Sequence, residues 1–512
     1  MASRPAFAAR DRLVFDGVLV IGGGLAGLSA ALAAAPRRAL VLSGCALGEG
    51  CASTWAQGGM AAALNPADDP ARHAEDTLMA GAGLCDAAAV RILTQEGPGA
   101  VRRLAALGAP FDRDAAGAFI QGLEAAHSFP RIAKVGGDGA GAAIMRAVFA
   151  AVRAESRIEV RENVEVRALL SDSEGRIRGV LAGQAGGLVE IIAPAAILAT
   201  GGLGGLYALT TNPARARGEG LAMAALAGAR IIDPEFVQFH PTALDVPADP
   251  APLATEALRG DGARLVGASG EAFMPRYHPA GDLAPRDVVS RAIETERMAG
   301  RGAFLDARAA LGEAFPAAFP AVFAHCMAAG IDPRSAVMPV RPAAHYHMGG
   351  VWTDAEGRAS LPGLFAAGEC ASTGVQGANR LASNSLVEAA VFGRRAGLAA
   401  RDAVSLSTAP LSSPPPPELR PEVMARLRRR MSRDAGVVRD ASALTSLAGW
   451  LNDLQEGAAP ALPLTAARLV VDAALARRES RGAHFRSDYP EPASHAAHTA
   501  IEMASLAARQ AA

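Results

Sequence analysis

Residues 341–386 gather, within one short span, the side-chain types that chemistry needs. The chain reads RPAAHYHMGGV, then LPGLFAAGEC, then GVQGANRLASNSLVEA. His345 precedes the pair Gly349 and Gly350, and a strand-like LFAAGE ends at Glu369. Arg380 follows in a tight polar turn, and Ser383 and Ser385 read as serine caps of a helix start. Backbone amides at a helix N-terminus hold phosphate-bearing groups. A histidine and an arginine aimed at one place suit a small carboxylate. The pattern predicts a flavin with a carboxylate ligand in front of it.

Gly22, Gly23, Gly24, Leu25, Ala26 and Gly27 fit GxGxxG after an apolar strand and before an alanine-rich helix. Such glycines allow a tight turn and bring a pyrophosphate close to the helix N-terminus. A glycine turn without a ligand is the bland alternative. The acid that grips a ribose at the end of the next strand is missing, because the chain reads Leu42, Ser43, Gly44. That disfavours plain NAD. The loop Ala52, Ser53, Thr54, Trp55, Ala56, Gln57, Gly58, Gly59 is small and polar. Its amides can cradle a ring and its phosphates, although standing alone it reads as an ordinary loop. Ala199, Thr200, Gly201, Gly202 and Ala367, Gly368, Glu369 add two more glycine-bearing strand ends. Glu369 is either an acceptor for ribityl hydroxyls or a solvated acid. Together these motifs favour FAD over NAD.

A second set of polar residues lies between the glycine motifs. His240 sits in FHPT, Thr255, Glu256 and Arg259 in TEALRG, and Arg286 just after a proline at a helix start. Taken singly, each reads equally well as a structural polar group: Glu256 with Arg259 as a simple pair, Asp287 as a helix cap. Taken together, His240, Thr255, Arg286, His345 and Arg380 form a cationic and hydroxyl set that suits a dicarboxylate. His73, His278, His325, His347, His495 and His498 are read as structural. No HExxH or comparable spacing points to a metal.

These residues need a scaffold. Residues 13–21 read as a strand, 28–35 as a helix and 39–42 as a second strand, a βαβ start. Residues 158–166, 177–181 and 189–192 read as a small antiparallel insert with SDSEG as a turn, and 196–200 as another buried strand. Helix and loop then mix until the strand at 361–369. Leu444, Leu447, Leu451 and Leu454 recur at helical spacing, and 465–477 reads as another helix. The expected fold class is α/β: a Rossmann-like FAD-binding domain, an inserted α+β capping domain and a C-terminal helical bundle. The expected bounds are 13–235 and 346–405 for the first domain, 236–345 for the cap, 406–418 for a Pro-rich linker and 419–512 for the bundle.

The chain's 512 residues suffice for two or three domains. Half are apolar and the net charge is −1, which excludes a disordered chain or a nucleic-acid binder. Lys134 is the sole lysine, read as coding bias beside abundant Ala, Gly and Pro. The cysteines Cys45, Cys51, Cys85, Cys326 and Cys370 are scattered without a CxxC pair. That argues for reduced thiols in the cytoplasm and against iron–sulfur or structural zinc. The N-terminal residues lack the apolar block of a signal peptide, and the apolar stretch 191–207 carries Pro194 and glycines, so no membrane helix is expected.

The chain resembles the succinate dehydrogenase and fumarate reductase flavoprotein family, and within it the L-aspartate oxidase branch. The resemblance runs over nearly the whole chain. It is carried by GGGLAGL, STWAQGGMAAA, HAEDTLMAGAGLCD from His73, ILATGG, QFHPTAL, TEALRGDGA, LAPRDVVSRAI, PAAHYHMGGV, GANRLASNSL and ARRESRGAHFRSDYPE. It implies oxidation of L-aspartate to iminoaspartate with oxygen or fumarate as acceptor, the first step of de novo NAD synthesis, feeding quinolinate synthase. It also implies that His240, His345 and Arg380 hold the carboxylates with help from Thr255, that Arg286 is the proton-transfer candidate, and that Glu124 meets the substrate amine. Where the dehydrogenases carry covalent flavin on a histidine, this chain has Cys51, Ala52, Ser53 and Thr54, so the FAD should be noncovalent. Ser385 and Leu386 are counted among the FAD contacts. The chain departs from the family at Gly44, often lysine, at Glu219, usually aspartate, and at Glu124-Ala125-Ala126, usually Glu-Gly-Gly. The alternative is a fumarate reductase or succinate dehydrogenase subunit, which needs an iron–sulfur partner. A flavin-binding interaction protein is the third reading.

Overall fold

The computed structural model describes residues 11–184, 187–403, 415–455 and 461–503. Its centre is a five-stranded parallel sheet in the order Leu364–Ala366, Ala195–Leu198, Val18–Ile21, Ala39–Leu42, Ile158–Arg161. The inner three strands read VLVI, ALVL and AAIL, and every residue in them is buried. Unbroken apolar runs are what a parallel sheet covered on both faces requires.

Helix Leu25–Ala33 leaves the first of these strands through the glycine turn and packs along helix Asn384–Ala400. The approach is close because two glycines allow it. A Cβ at Gly393 would lie 2.4 Å from the Ala26 carbonyl oxygen, and one at Gly397 would lie 2.2 Å from that of Ala30.

Two expected elements are divided. Residues 13–21 form two strands, Asp11–Val14 and Val18–Ile21, in different sheets. Asp11–Val14 pairs in parallel with Gly187–Ile192, whereas Val18–Ile21 lies in the central sheet. The break falls at Gly17, where a Cβ would meet the Arg38 carbonyl oxygen at 2.4 Å. Residues 158–166 also divide. Ile158–Arg161 is the edge of the parallel sheet, and only Glu165–Ser171 joins the antiparallel insert with Ile177–Gln184 and Gly187–Ile192. Asn163, at φ 58°, turns the chain between them. The first helix begins at Leu25, three residues before the expected 28, because the glycine turn is itself its N-terminus.

The region between the glycine motifs carries more strand than its sequence pattern suggests. Val237–Leu244 pairs antiparallel with Met338–His347, which pairs with Phe304–Asp306, which pairs with Arg264–Val266. Leu258, Leu265, Phe273, Val289, Ile293 and Phe315 form a separate core beneath this sheet. Helix Arg286–Met298 packs against strand Val237–Leu244. Toward the C-terminus, helices Pro421–Asp434, Ala441–Gln455 and Leu462–Ala476 bury Leu444, Leu447 and Leu451, in keeping with the leucine spacing. Helix Leu462–Ala476 lies against Glu219–Leu226. Of the Pro-rich stretch 406–418, residues 406–414 lie outside the described residues. Pro416 and Glu418 are held by Arg167.

The glycine seam predicts that Gly397→Val lowers stability by about 1–3 kcal/mol through overpacking. Denaturant midpoints of the two proteins measure the difference. An unchanged midpoint would show that the two helices can part without cost.

Candidate active site

One cavity of about 700 Å³ runs from the glycine turn to the cleft beneath the antiparallel sheet. At one end stand Gly22, Gly23, Gly24, Leu25 and Ala26. Gly22 has φ 121°, and a Cβ there would lie 2.1 Å from the Ala199 carbonyl oxygen, so the turn admits only glycine. Gly24 is the N-cap and has no side chain to satisfy the helix amides. Ser53 Oγ takes the Leu25 N–H at 3.2 Å. A helix N-terminus left open in this way is an anion site.

Ser43, Gly44, Ala52, Ser53, Trp55, Ala56, Gln57, Gly58, Gly59, Glu219, Glu369, Ser385 and Leu386 also line the cavity. Thr200 Oγ1 and Gln57 Oε1 are buried without a partner on its wall. Orphaned buried acceptors and donors are costly unless a ligand meets them. The glycine cradle, the open helix end and these two atoms fit a flavin dinucleotide. Two residues assigned to the cofactor lie off the wall. Gly27 serves packing, since a Cβ there would meet the Gly22 carbonyl oxygen at 2.1 Å. Thr54 Oγ1 bonds Cys51 Sγ at 2.8 Å. Glu369 is not a solvated acid. It is half-buried on the cavity wall, accepts the His347 N–H at 2.9 Å, and desolvation pushes its pKa up to about 7.

At the other end of the cavity stand His240, Thr255, Arg286, His345, Arg380 and Glu124. Strand pairing explains how the two histidines meet. Gln238 faces Tyr346 and Phe239 faces Ala344, so His345 is the extra residue of a β-bulge. A bulge re-aims a side chain, and the His345 ring comes 5.0 Å from that of His240. The Thr242 N–H donates to His240 Nδ1 at 3.3 Å. That leaves the proton of a neutral ring on Nε2, a donor for a carboxylate. Burial, then the Arg286 charge, keeps His240 well below the usual histidine range. Burial, then Arg380, does the same for His345. Thr211 Oγ1 bonds His345 Nδ1 at 2.7 Å.

The cations are arranged by groups that the motif reading did not select. Gln238 Oε1 accepts from Arg286 Nη1 at 3.0 Å and from Arg380 Nε at 3.3 Å. Glu256 is more than a partner for Arg259. Arg286 Nε donates to its Oε2 at 2.5 Å, while Arg259 lies at 3.6 Å from Oε1. Burial opposes the Glu256 charge, but Arg286 and Arg259 outweigh it and hold the carboxyl below its usual range. Arg380 lies over the Tyr346 ring at 4.6 Å. Burial, then Arg286, lowers it to about 10. The Tyr346 hydroxyl donates to buried Glu388 at 2.7 Å. A strand alternates faces every second residue, so Gln238, two before His240, was open to that inference. Glu388 and Tyr346 carried no such signal.

Three expected caps are absent: Ser385 lies inside the first turn of helix Asn384–Ala400, where its Oγ accepts from Arg380 Nη1 at 2.9 Å. Ser383 is the N-cap of helix Asn384–Ala400, but it has φ 61° and makes no capping bond. Its Oγ donates instead to Glu124 Oε2 at 2.8 Å. Asp287 lies inside the first turn of its helix, where it accepts from Asn379 Nδ2 at 3.1 Å and pairs with Arg291 at 2.9 Å. Burial, then the nearby Glu256 charge, raises the pKa of Glu124. Among the described residues no group of His, Cys, Asp and Glu could hold a metal ion, and no helix is long and apolar enough to cross a membrane.

Comparison with known proteins is consistent with this arrangement. A family described as FAD binding domain matches residues 17–386, and one described as fumarate reductase flavoprotein C-term matches residues 461–510. The chain is 65% identical to an L-aspartate oxidase of Caulobacter vibrioides over 94% of each chain. It is 48% identical to an L-aspartate oxidase of Agrobacterium fabrum, over 93% of this chain and 92% of that one. Among solved structures it is similar to Mycobacterium smegmatis Sdh1, with TM-score 0.80 and 33% identity over 96% of this chain and 94% of that one. It is also similar to a quinol-fumarate reductase with menaquinol molecules, with TM-score 0.87 and 28% identity over 96% and 98%.

The geometry predicts that Arg380→Leu weakens succinate binding by about 2–5 kcal/mol while the protein keeps its FAD. Titration followed by the flavin spectrum measures both. Unchanged affinity would make Arg380 a structural group only.

Proposed function

The chain belongs to the L-aspartate oxidase family of FAD-dependent flavoproteins, and from that premise we propose how its site works. The enzyme oxidises L-aspartate to iminoaspartate with oxygen or fumarate as acceptor, the first step of de novo NAD synthesis. The observation that carries the mechanism is the convergence of Arg286, Arg380, His240, His345 and Glu124 on one end of the cavity. When bound, FAD supplies the two-electron acceptor.

The chain's own task is orientation and electrostatics. Arg380 and the Nε2–H of His240 take the carboxylates, with His345 and Thr255 completing the contacts. Glu124 faces the ammonium. Conversion to the imine removes a hydride from Cα and a proton from the amine. Glu124, its pKa raised by burial, is suited to receive that proton. Arg286 is held against an ionised Glu256. A guanidinium is far too basic to serve as a resting base, and this pairing favours it further as a cation. Its role in this reading is charge stabilisation.

The subunit alternative, fumarate reductase or succinate dehydrogenase, has weaker support. Its plain dicarboxylate gives a buried Glu124 nothing to neutralise. A cytoplasmic location and functional coupling to quinolinate synthase, which consumes the unstable imine, complete the proposal. So do the domain bounds given above, with residues 236–345 as the cap.

Noncovalent FAD should pass entirely into the supernatant on acid precipitation, and yellow colour retained in the pellet would contradict it. Glu124→Gln should impair aspartate oxidation strongly and largely spare fumarate reduction by the reduced enzyme. Aspartate binding needs the Glu124 carboxylate, so its KM should climb as pH falls through a pKa above the ordinary carboxylate range. The succinate Kd should show no such limb. Equal losses in both reactions, or parallel pH profiles, would remove Glu124 from amine recognition.

A further inference from the structure

Glu124 lies in the loop that joins strands Gln121–Gly122 and Ile132–Ala133. The loop turns at Ala126, φ 64°, with the His127 N–H on the Glu124 carbonyl at 3.2 Å. The Ser383 hydroxyl anchors the carboxylate itself. A single hydrogen bond does not fix the direction of the side chain, and burial opposes its charge. The rest of the restraint has to come through the loop.

Arg131 closes that loop, and its side chain is 0% exposed. Its Nε and Nη2 form a fork on Asp68, at 3.0 and 3.1 Å. Its Nη1 donates to Asp76 Oδ2, and to His127 Nδ1 at 3.0 Å. Asp76 Oδ2 also receives the Ser128 N–H at 2.8 Å and the Ser128 hydroxyl at 2.9 Å. His127 Nε2 meets the Ala382 carbonyl at 3.0 Å. A carbonyl only accepts, so Nε2 carries the proton and Nδ1 is the acceptor for Arg131. Burial lowers His127 to about 4, in keeping with a neutral ring. The result is a closed circuit. Arg131, His127 and Ser128 tie the loop to helix Pro70–Ala80 and to Ala382, next to the serine that holds Glu124. Arg131, His127, Asp68 and Asp76 are absent from the cavity wall.

We propose that Arg131, clamped by Asp68 and Asp76, is the positioning residue that holds Glu124 at the amine end of the site and thereby sets the preference for an amino dicarboxylate over a plain one. The proposal rests on the reading that Glu124 meets the ammonium. Arg131 touches no ligand, so its influence is selective. The carboxylate-binding residues belong to other elements, of which the turn of Arg380 alone is joined to the loop by the bonds above, at Ala382 and Ser383, so binding of a plain dicarboxylate should change less.

Asp76→Asn in the FAD-loaded enzyme tests this, since it keeps the side chain's shape but removes one of the two charges that hold Arg131 and the one that also binds Ser128. The aspartate KM should rise about tenfold to hundredfold, as for a displaced positioning group. The succinate Kd, read from the flavin spectrum, should stay within about threefold, with FAD content unchanged. The acid limb of the aspartate profile should move to lower pH, because a displaced Glu124 regains water. If Asp76→Asn does not fold, Ser128→Ala, which removes one bond to the same carboxylate, is read in the same way with a smaller shift. An equal loss for both ligands, or no loss, overturns the proposal. Glu124→Gln runs in parallel. If Glu124→Gln keeps the aspartate preference, the amine reading itself has failed. If it loses the preference while Asp76→Asn retains it, only the positioning role has failed.

Discussion

Three guanidiniums, Arg259, Arg286 and Arg380, are buried in one site, and a buried cation is tolerable only when it is paired. That constraint organises the surrounding structure. Glu256 lies between Arg286 and Arg259. Gln238 lends one amide oxygen to both Arg286 and Arg380. The same side chain's amide nitrogen donates to Asn379 Oδ1 and to the Arg380 carbonyl, each at 2.9 Å. Tyr346 supports the face of Arg380, and Glu388 supports Tyr346 while also accepting from Thr373 and Gln376. Each supporting group is itself hydrogen-bonded, as a buried polar network must be if it is to be rigid.

The histidines follow from the same field. With arginines on either side and little water, they stay neutral and act as hydrogen-bond donors. The positive potential needed to draw in a dicarboxylate therefore comes from arginine alone, whose charge is insensitive to pH across the working range. Glu124 is the counterweight. Burial and the Glu256 charge raise its pKa, while Arg286, the Ser383 hydroxyl and Arg380 pull it down.

Much of this was legible in the sequence, and the rest was hidden for definite reasons. His240, Thr255, Arg286, His345 and Arg380 stand in motifs whose residue types announce them, Glu124 was implied only by the family resemblance, and all six line the same cavity. Ser383 was misread because a serine before a helix ordinarily caps it. A left-handed backbone turns its hydroxyl to Glu124 instead. The first strand was read as one although Asp16-Gly17, a turn dipeptide, interrupts the apolar run of residues 13–21, and the close contact of Gly17 with Arg38 fixes the break there. The bulge at His345 leaves no trace in hydrophobic alternation, since it exists only in the pairing of two distant segments. Gly27 and Thr54 belong to the motifs assigned to the cofactor, but Gly27 packs against the Gly22 carbonyl and Thr54 Oγ1 bonds the Cys51 thiol.

The two walls of the ligand site differ in construction. The residues proposed to bind the carboxylates sit on paired strands, a helix start and the turn at Arg380. Glu124, the acid proposed to face the amine, hangs on a short hairpin loop that Arg131 staples to Asp68 and Asp76. Such a division separates two kinds of inheritance. The first wall cannot drift without dismantling the protein, whereas the hairpin can change so long as it keeps its hold on Asp68, Asp76 and Ala382. A lineage of dicarboxylate flavoproteins can then acquire or discard an amino acid substrate by rewriting about ten residues, leaving the flavin cradle and the arginine array as they were.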